Sequence, residues 1–267
     1  MQQRIVVSLA ASVGIVGIAA IVACSSSTTA SGVVDPPETG TPPPPPVDGG
    51  DTDSAVPPGP DLLAGCTKDP GATPPTVDPN AAADPTGGAA MFTLEKALAG
   101  FPAGAGKLTA GISTENGTIK CELFEAVAPL SVANFVGLAR GTRPYKNDAN
   151  KWAVGRFYDG LIWHRVIPNF VIQGGDPDGV GTGGPGYDMV KENQVIEPLG
   201  AMAMAASQEV SGSQFYIVVG KGPAANYNVF GSCSTESAVA IAAVPRDGDD
   251  LPKTPVHMIK VEIGRCP

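Results

Sequence analysis

Lys107-Leu108-Thr109-Ala110-Gly111-Ile112-Ser113-Thr114-Glu115-Asn116-Gly117-Thr118-Ile119-Lys120-Cys121-Glu122-Leu123 is the stretch whose pattern decides the fold class. Leu108, Ala110 and Ile112 recur at every second position, Glu115-Asn116-Gly117 interrupts, and Ile119, Cys121 and Leu123 resume the alternation. Period-two runs on either side of Asn-Gly predict an antiparallel hairpin with one buried face. Downstream, the β-branched or aromatic runs 161–166, 170–173, 215–219 and 256–263 are bounded by Gly or Pro and read as further short strands. The 34 glycines and 27 prolines among 267 residues argue against a helical bundle. One amphipathic helix stands out: Pro129 opens it, Val132, Phe135, Val136 and Ala139 form a stripe, and Gly141 closes it. The domain from 107 to 267 is therefore expected to be mainly β, with the sheet closed or nearly so and a helix over one mouth. Met91 to Leu98 reads as a short helix in a lead-in covering 91–106.

Upstream the composition changes. Residues 25–90 hold nine acidic side chains, one basic one (Lys68), 15 prolines and no aromatic residue. Such a segment buries too little apolar surface to offset its ordering entropy, so 24–90 is expected to be a disordered, extended tether with a reach of about 200 Å. Residues 1–23 have the form of a signal peptide: Arg4, then an apolar run too short to span a bilayer. Ile21-Val22-Ala23-Cys24 resembles the lipobox of bacterial lipoproteins, which implies cleavage before Cys24, lipidation of that cysteine and a place in the bacterial cell envelope. Export permits disulfides among Cys66, Cys121, Cys233 and Cys266; three full pairings remain open, and Cys121 taken alone reads as a buried free thiol. The net charge of −9 gives no basic face for nucleic acid.

Three chemical motifs lead nowhere. Gly179-Val180-Gly181-Thr182-Gly183-Gly184 has dinucleotide-loop spacing, but Pro185-Gly186 follows where a helix is required. No GxSxG accompanies His164 or His257, and His164 reads as a satisfied structural histidine. Asp176, Asp178 and Asp188 lack calcium-loop spacing and read as a solvated loop. What remains is a group without nucleophile, metal or cofactor: Arg165, Phe170 and Gln173, which a strand-turn-strand reading of 163–176 brings near one another.

That stretch, Trp163-His164-Arg165-Val166-Ile167-Pro168-Asn169-Phe170-Val171-Ile172-Gln173-Gly174-Gly175-Asp176, resembles the signature of the cyclophilin family of peptidyl-prolyl isomerases. Val132-Ala133-Asn134-Phe135, Phe157-Tyr158-Asp159-Gly160, Gly181-Thr182-Gly183-Gly184, Ser213-Gln214-Phe215-Tyr216, Val229-Phe230-Gly231 and Lys253-Thr254-Pro255-Val256 follow the family's order. The resemblance implies an eight-stranded antiparallel closed barrel capped by two α-helices, the second over 234–243. It also implies a monomer that isomerises X-Pro bonds in proline-containing polypeptides. By position, Arg165 matches the essential arginine, Phe170 and Val171 the floor of the proline pocket, and Gln173 the amide that holds the substrate backbone. Ala203, Gln214 and Tyr216 match its further walls, and Pro223 and Tyr227 match family pocket positions in an altered loop.

The departures are Tyr216, where the family usually has Phe, and the loop 222–227, where Gly222 stands for a frequent Trp, Pro223 for Leu and Tyr227 for His. The extra hydroxyl of Tyr216 calls for a partner or a solvated rim. The thinned wall predicts weak cyclosporin binding and leaves a second reading, a tethered module that grips Pro-containing segments with little turnover. Self-occupation of the pocket by Phe101-Pro102 or by the tether is a third. The region 142–156 is longer than in minimal relatives and has no sequence-level explanation.

Overall fold

The computed structural model describes residues 61–193, 195–223 and 227–267. In chain order the elements are β1 (Thr67–Lys68), a single 3-10 turn (Ala89–Met91), α1 (Leu94–Ala97), β2 (Lys107–Thr114), β3 (Gly117–Leu123), α2 (Pro129–Arg140), β4 (Tyr145–Lys146), β5 (Trp152–Ala153), β6 (Arg165–Val166), β7 (Val171–Gly174), β8 (Asp188–Met189), β9 (Ala201–Ala206), β10 (Val210–Val218), β11 (Val229–Cys233), α3 (Glu236–Ala242) and β12 (Lys260–Cys266). The β2–β3 hairpin forms in the expected register, with Ile112 opposite Ile119 and Ala110 opposite Cys121, all four buried. The positive φ of its turn falls on Gly117 (φ 107°), the residue that tolerates it without steric penalty.

The main sheet has ten strands in the order β1-β12-β2-β3-β11-β9-β10-β7-β6, with β8 paired to β10, and every pairing is antiparallel. The eight-stranded closed barrel is not what is observed. Residues 161–163 and 256–258, parts of the runs 161–166 and 256–263, were expected to be strand. They meet through one isolated bridge, Ile162 to His257, and through separate backbone bonds such as Trp163 N to Val256 O (2.9 Å) and Met258 N to Leu161 O (2.7 Å). Pro252 and Pro255 have no N–H to donate along this seam, so the ladder stays open there.

Helix α2 ends as expected, with Gly141 in the left-handed conformation (φ 74°). Its start is capped from a distance. Ala128 offers no capping side chain, and the Glu192 carboxylate accepts from Leu130 N (2.7 Å) and Ser131 N (2.6 Å), placing an anion where the first-turn N–H groups lack partners. Phe135 anchors the core, its ring 4.9 Å from Tyr158, 5.4 Å from Phe215 and 5.5 Å from Phe230. The helix is not amphipathic in the assembled fold, because every residue from Ser131 to Arg140 is buried.

The far side of α2 is covered by the segment expected to be tether, which corrects that expectation for residues 61–90. Leu63 is fully buried, β1 pairs with β12, and Cys66 is bonded to Cys266. Asp69 grips Arg140 through two hydrogen bonds of 2.9 Å. Phe92 lies so close over α2 that a Cβ at Gly137 would sit 2.4 Å from its ring. One disulfide, a few apolar anchors and two buried ion pairs do the ordering that a conventional core does elsewhere. The second disulfide joins Cys121 to Cys233, directly paired on β3 and β11, so Cys121 is not a free thiol. Phe101 packs on the same core under the Arg140 guanidinium (5.3 Å), and self-occupation of the pocket by Phe101 is thereby contradicted. The signal peptide, Cys24 and the tether over 24–60 lie outside the described residues.

Candidate active site

The register places the expected residues in one row. Arg165 on β6 is opposite Gln173 on β7, Gln173 is opposite Tyr216 on β10, Tyr216 is opposite Ala203 on β9, and Ala203 is opposite Val229 on β11. Directly paired residues point to the same face of a sheet, so the row runs from a cation through an amide to an aromatic and aliphatic floor. Adjacent strands are about 4.8 Å apart, and the three steps from Arg165 to Ala203 span about 14 Å, the scale of a short extended peptide.

The floor is an apolar cluster separate from the main core. Val171, Ala201, Ala203, Tyr216, Val218 and Val229 are buried in it, with Phe170 and Tyr227 packed at its edge. Asn169, in the left-handed conformation (φ 58°), turns the chain between β6 and β7 and brings Phe170 alongside Arg165, whose guanidinium carbon lies 5.9 Å from the ring centroid. Gln173 Nε2 donates to Gln214 Oε1 (2.9 Å) and Gln214 Nε2 donates to the Gly183 carbonyl (2.9 Å), a chain that orients both amides. Beyond them opens a groove of about 960 Å³ lined by Gly183, Gly186, Tyr187, Ala205 and Ser211. Pro223 is half-buried in its loop and is not part of the apolar cluster.

Two carboxylates that the sequence reading missed complete the site. Glu197 accepts from the Tyr216 hydroxyl (2.7 Å) and from Tyr227 N (3.3 Å). Burial raises the Glu197 pKa, against the opposing effect of these two donors, and burial together with Glu197 raises that of Tyr216. The unexplained hydroxyl of Tyr216 was the one sequence signal that such a partner exists. Asp250 Oδ2 lies 3.9 Å from Arg165 Nε, while its Oδ1 binds Arg246 Nε at 3.0 Å. Nothing in the local pattern marks Asp250, since it reaches Arg165 from a turn 85 residues away.

Two further readings change. His164 is buried, but neither ring nitrogen has a hydrogen-bond partner. Burial depresses its pKa, with Asp176 opposing and Arg165 reinforcing the shift. Asp176 is not a solvated loop residue: it is 1% exposed, and its carboxylate accepts from Asp178 N (2.8 Å), Val180 N (3.2 Å) and Gly181 N (2.5 Å), organising the glycine loop. Among the described residues no cluster of side chains has the makings of a metal site.

A mainly antiparallel sheet that aligns a guanidinium, an amide and an apolar floor, with no nucleophile between them, defines a non-covalent catalyst acting on an extended peptide. Comparison with known proteins gives the class its family. Residues 109–263 match the family model for cyclophilin type peptidyl-prolyl cis-trans isomerases. Over 167 residues the chain is 44% identical to peptidyl-prolyl cis-trans isomerase A of Mycobacterium tuberculosis, covering 58% of this chain and 91% of that one. Over 145 residues it is 41% identical to peptidyl-prolyl cis-trans isomerase B of Bacillus subtilis, covering 52% and 90%. A cyclophilin type isomerase of Cryptosporidium parvum superposes with a TM-score of 0.51 at 26% identity, covering 61% of this chain and all of the other. The chain belongs to the cyclophilin-type peptidyl-prolyl cis-trans isomerase family, and it is an enzyme of that activity.

Proposed function

We propose that Arg165, Phe170 and Gln173 carry the isomerase reaction and that the clients are exported or envelope proteins reached from a lipid anchor at Cys24. The row Arg165, Gln173, Tyr216, Ala203 supports the first part. An X-Pro bond turns over a barrier of about 18–20 kcal/mol because rotation breaks amide resonance. In the twisted state the prolyl nitrogen regains a localised lone pair. A guanidinium aimed at that nitrogen binds the twisted state more strongly than the planar one, and this differential lowers the barrier. Arg165 is that donor. Phe170, Val171, Ala203 and Tyr216 hold the pyrrolidine ring, with Tyr227 and Pro223 on the loop side. Gln173, oriented by Gln214, holds the backbone on one side while the other rotates.

Cleavage after Ala23, lipidation of Cys24 and a tether over 24–60 rest on the sequence pattern of the first 60 residues. They support a place in the bacterial envelope, where prolyl isomerisation limits folding over tens of seconds. The test of the site is X-Pro exchange by the full chain and by Gln173→Ala: a fall of about tenfold in kcat/KM supports the assignment, and an unchanged rate overturns it. The test of the address is fractionation of cells expressing wild type and Cys24→Ser. Wild type in the membrane fraction with the variant released supports the anchor, and a soluble wild type overturns it.

A further inference from the structure

Outside the family match, which begins at residue 109, the segment 61–101 reaches the back of the substrate groove through one buried cation. Arg143 is fully buried, and its guanidinium carbon lies 4.1 Å from the ring of Tyr187 and 4.9 Å from that of Phe92. Its nearest carboxylate is Asp84, Nη2 to Oδ2 at 3.7 Å, and Asp84 Oδ2 is itself buried without a hydrogen bond. The other oxygen of Asp84 accepts from Thr86 N (2.8 Å) and Thr86 Oγ1 (2.7 Å), which aims the carboxylate. Tyr187, whose hydroxyl donates to Asn134 Oδ1 (3.2 Å), lines the groove beside Gly186, and the groove shares Gln173 and Gln214 with the prolyl pocket. The long region 142–156 belongs to the same assembly. Its β4–β5 hairpin binds Pro185 O through Lys146 N (2.9 Å), and Pro79 and Ala81 carbonyls through Trp152 N (3.1 Å) and Nε1 (2.9 Å).

A buried guanidinium between two rings needs a counter-charge, and among the described residues Asp84 is the one carboxylate that pairs with it; moving that carboxylate moves the cation and the ring stacked on it. We infer that Asp84, acting through Arg143, is a positioning residue that sets the groove wall at Tyr187 and thereby favours peptides longer than the X-Pro pair itself. The inference rests on the isomerase site described above.

The experiment compares the full chain with Asp84→Asn on two substrates: a blocked Ala-Pro dipeptide, and the same pair extended by two residues at each end. In the variant, KM for the longer peptide rises by about fivefold or more at unchanged kcat, while both constants for the dipeptide stay put. In a Tyr187→Leu background the Asp84→Asn change adds nothing further for the longer peptide, a coupling that a general loosening of the fold does not produce. Equal losses on both substrates, or no change on either, overturn the inference. A wild type inactive on both overturns the isomerase reading and this inference with it. If Asp84→Asn does not fold, Thr86→Val, which removes only the side-chain bond that aims Asp84, gives the milder test with the same opposed results.

Discussion

The Tyr216 hydroxyl donates to Glu197 Oε2 at 2.7 Å within the wall of the prolyl pocket, and the same carboxylate holds the backbone of Tyr227. Tyr in place of Phe at 216 is therefore half of a pair that anchors the altered loop. Tyr216→Phe leaves the Glu197 carboxylate short of a donor and is expected to destabilise the fold by about 1–3 kcal/mol. Adding Glu197→Gln should recover part of the loss. Denaturant titration of wild type and the two variants checks this.

Burial raises the Glu197 pKa above its unfolded value, so the folded state holds that proton more tightly. Its contribution to stability is then largest in acid and declines as pH rises from the unfolded carboxylate range through the raised folded value. Glu197→Gln removes this contribution. The difference in unfolding free energy between wild type and variant is expected to shift against wild type as pH rises above the unfolded carboxylate range, about pH 4, and a pH-independent difference contradicts the assignment.

Asp250 faces Arg165 at 3.9 Å and is held on its other side by Arg246. Asp250→Asn keeps the left-handed backbone (φ 66°), which Asn tolerates, and removes the charge. Loss of about three- to tenfold in kcat, with a smaller change in KM, is expected if the carboxylate aims the guanidinium. Exchange spectroscopy on an X-Pro peptide separates the two constants.

Gly222 has no room for a larger side chain on the present loop path, since a Cβ there would lie 2.6 Å from the Glu197 carbonyl oxygen. The wall that a Trp builds in relatives is absent from this position. Cyclosporin should inhibit only at micromolar concentrations or above. Nanomolar inhibition would contradict this account of the wall.

Removal of residues 61–106 should cripple the fold, whereas removal of 25–60 should leave its thermal midpoint unchanged. The first deletion uncovers α2, unpairs buried Arg140 and Arg143, and eliminates the Cys66–Cys266 bond, which closes a loop of 200 residues. Loss of that disulfide alone, by Cys66→Ser with Cys266→Ser, is expected to cost about 2–5 kcal/mol.

The hairpin at 107–123 and the ends of α2 could be read from local pattern because alternation, Pro and Gly act within a few residues. Arg165, Gln173, Gln214 and Tyr216 could be found from the family motifs, and the alignment of Arg165, Gln173 and Tyr216 in one row follows from strand register. The packed segment 61–90 was illegible for a physical reason: its prolines and acids describe a solvated chain unless the partners are known. Asp69 and Asp84 count as surface charge in the sequence, yet Arg140 and Arg143 of a distant helix and its flank take them up. The open seam was missed because β-branched runs at 161–166 and 256–263 promise ladders, while the prolines beside the second run withhold the donors.

The most direct test of the central claim is cis-to-trans exchange of a short X-Pro peptide by the full chain beside Arg165→Ala. The guanidinium account predicts at least a tenfold fall in kcat/KM, about 1.4 kcal/mol of transition-state stabilisation, with the thermal midpoint preserved. Equal activity of the two proteins would contradict it and would move the catalytic contribution away from Arg165.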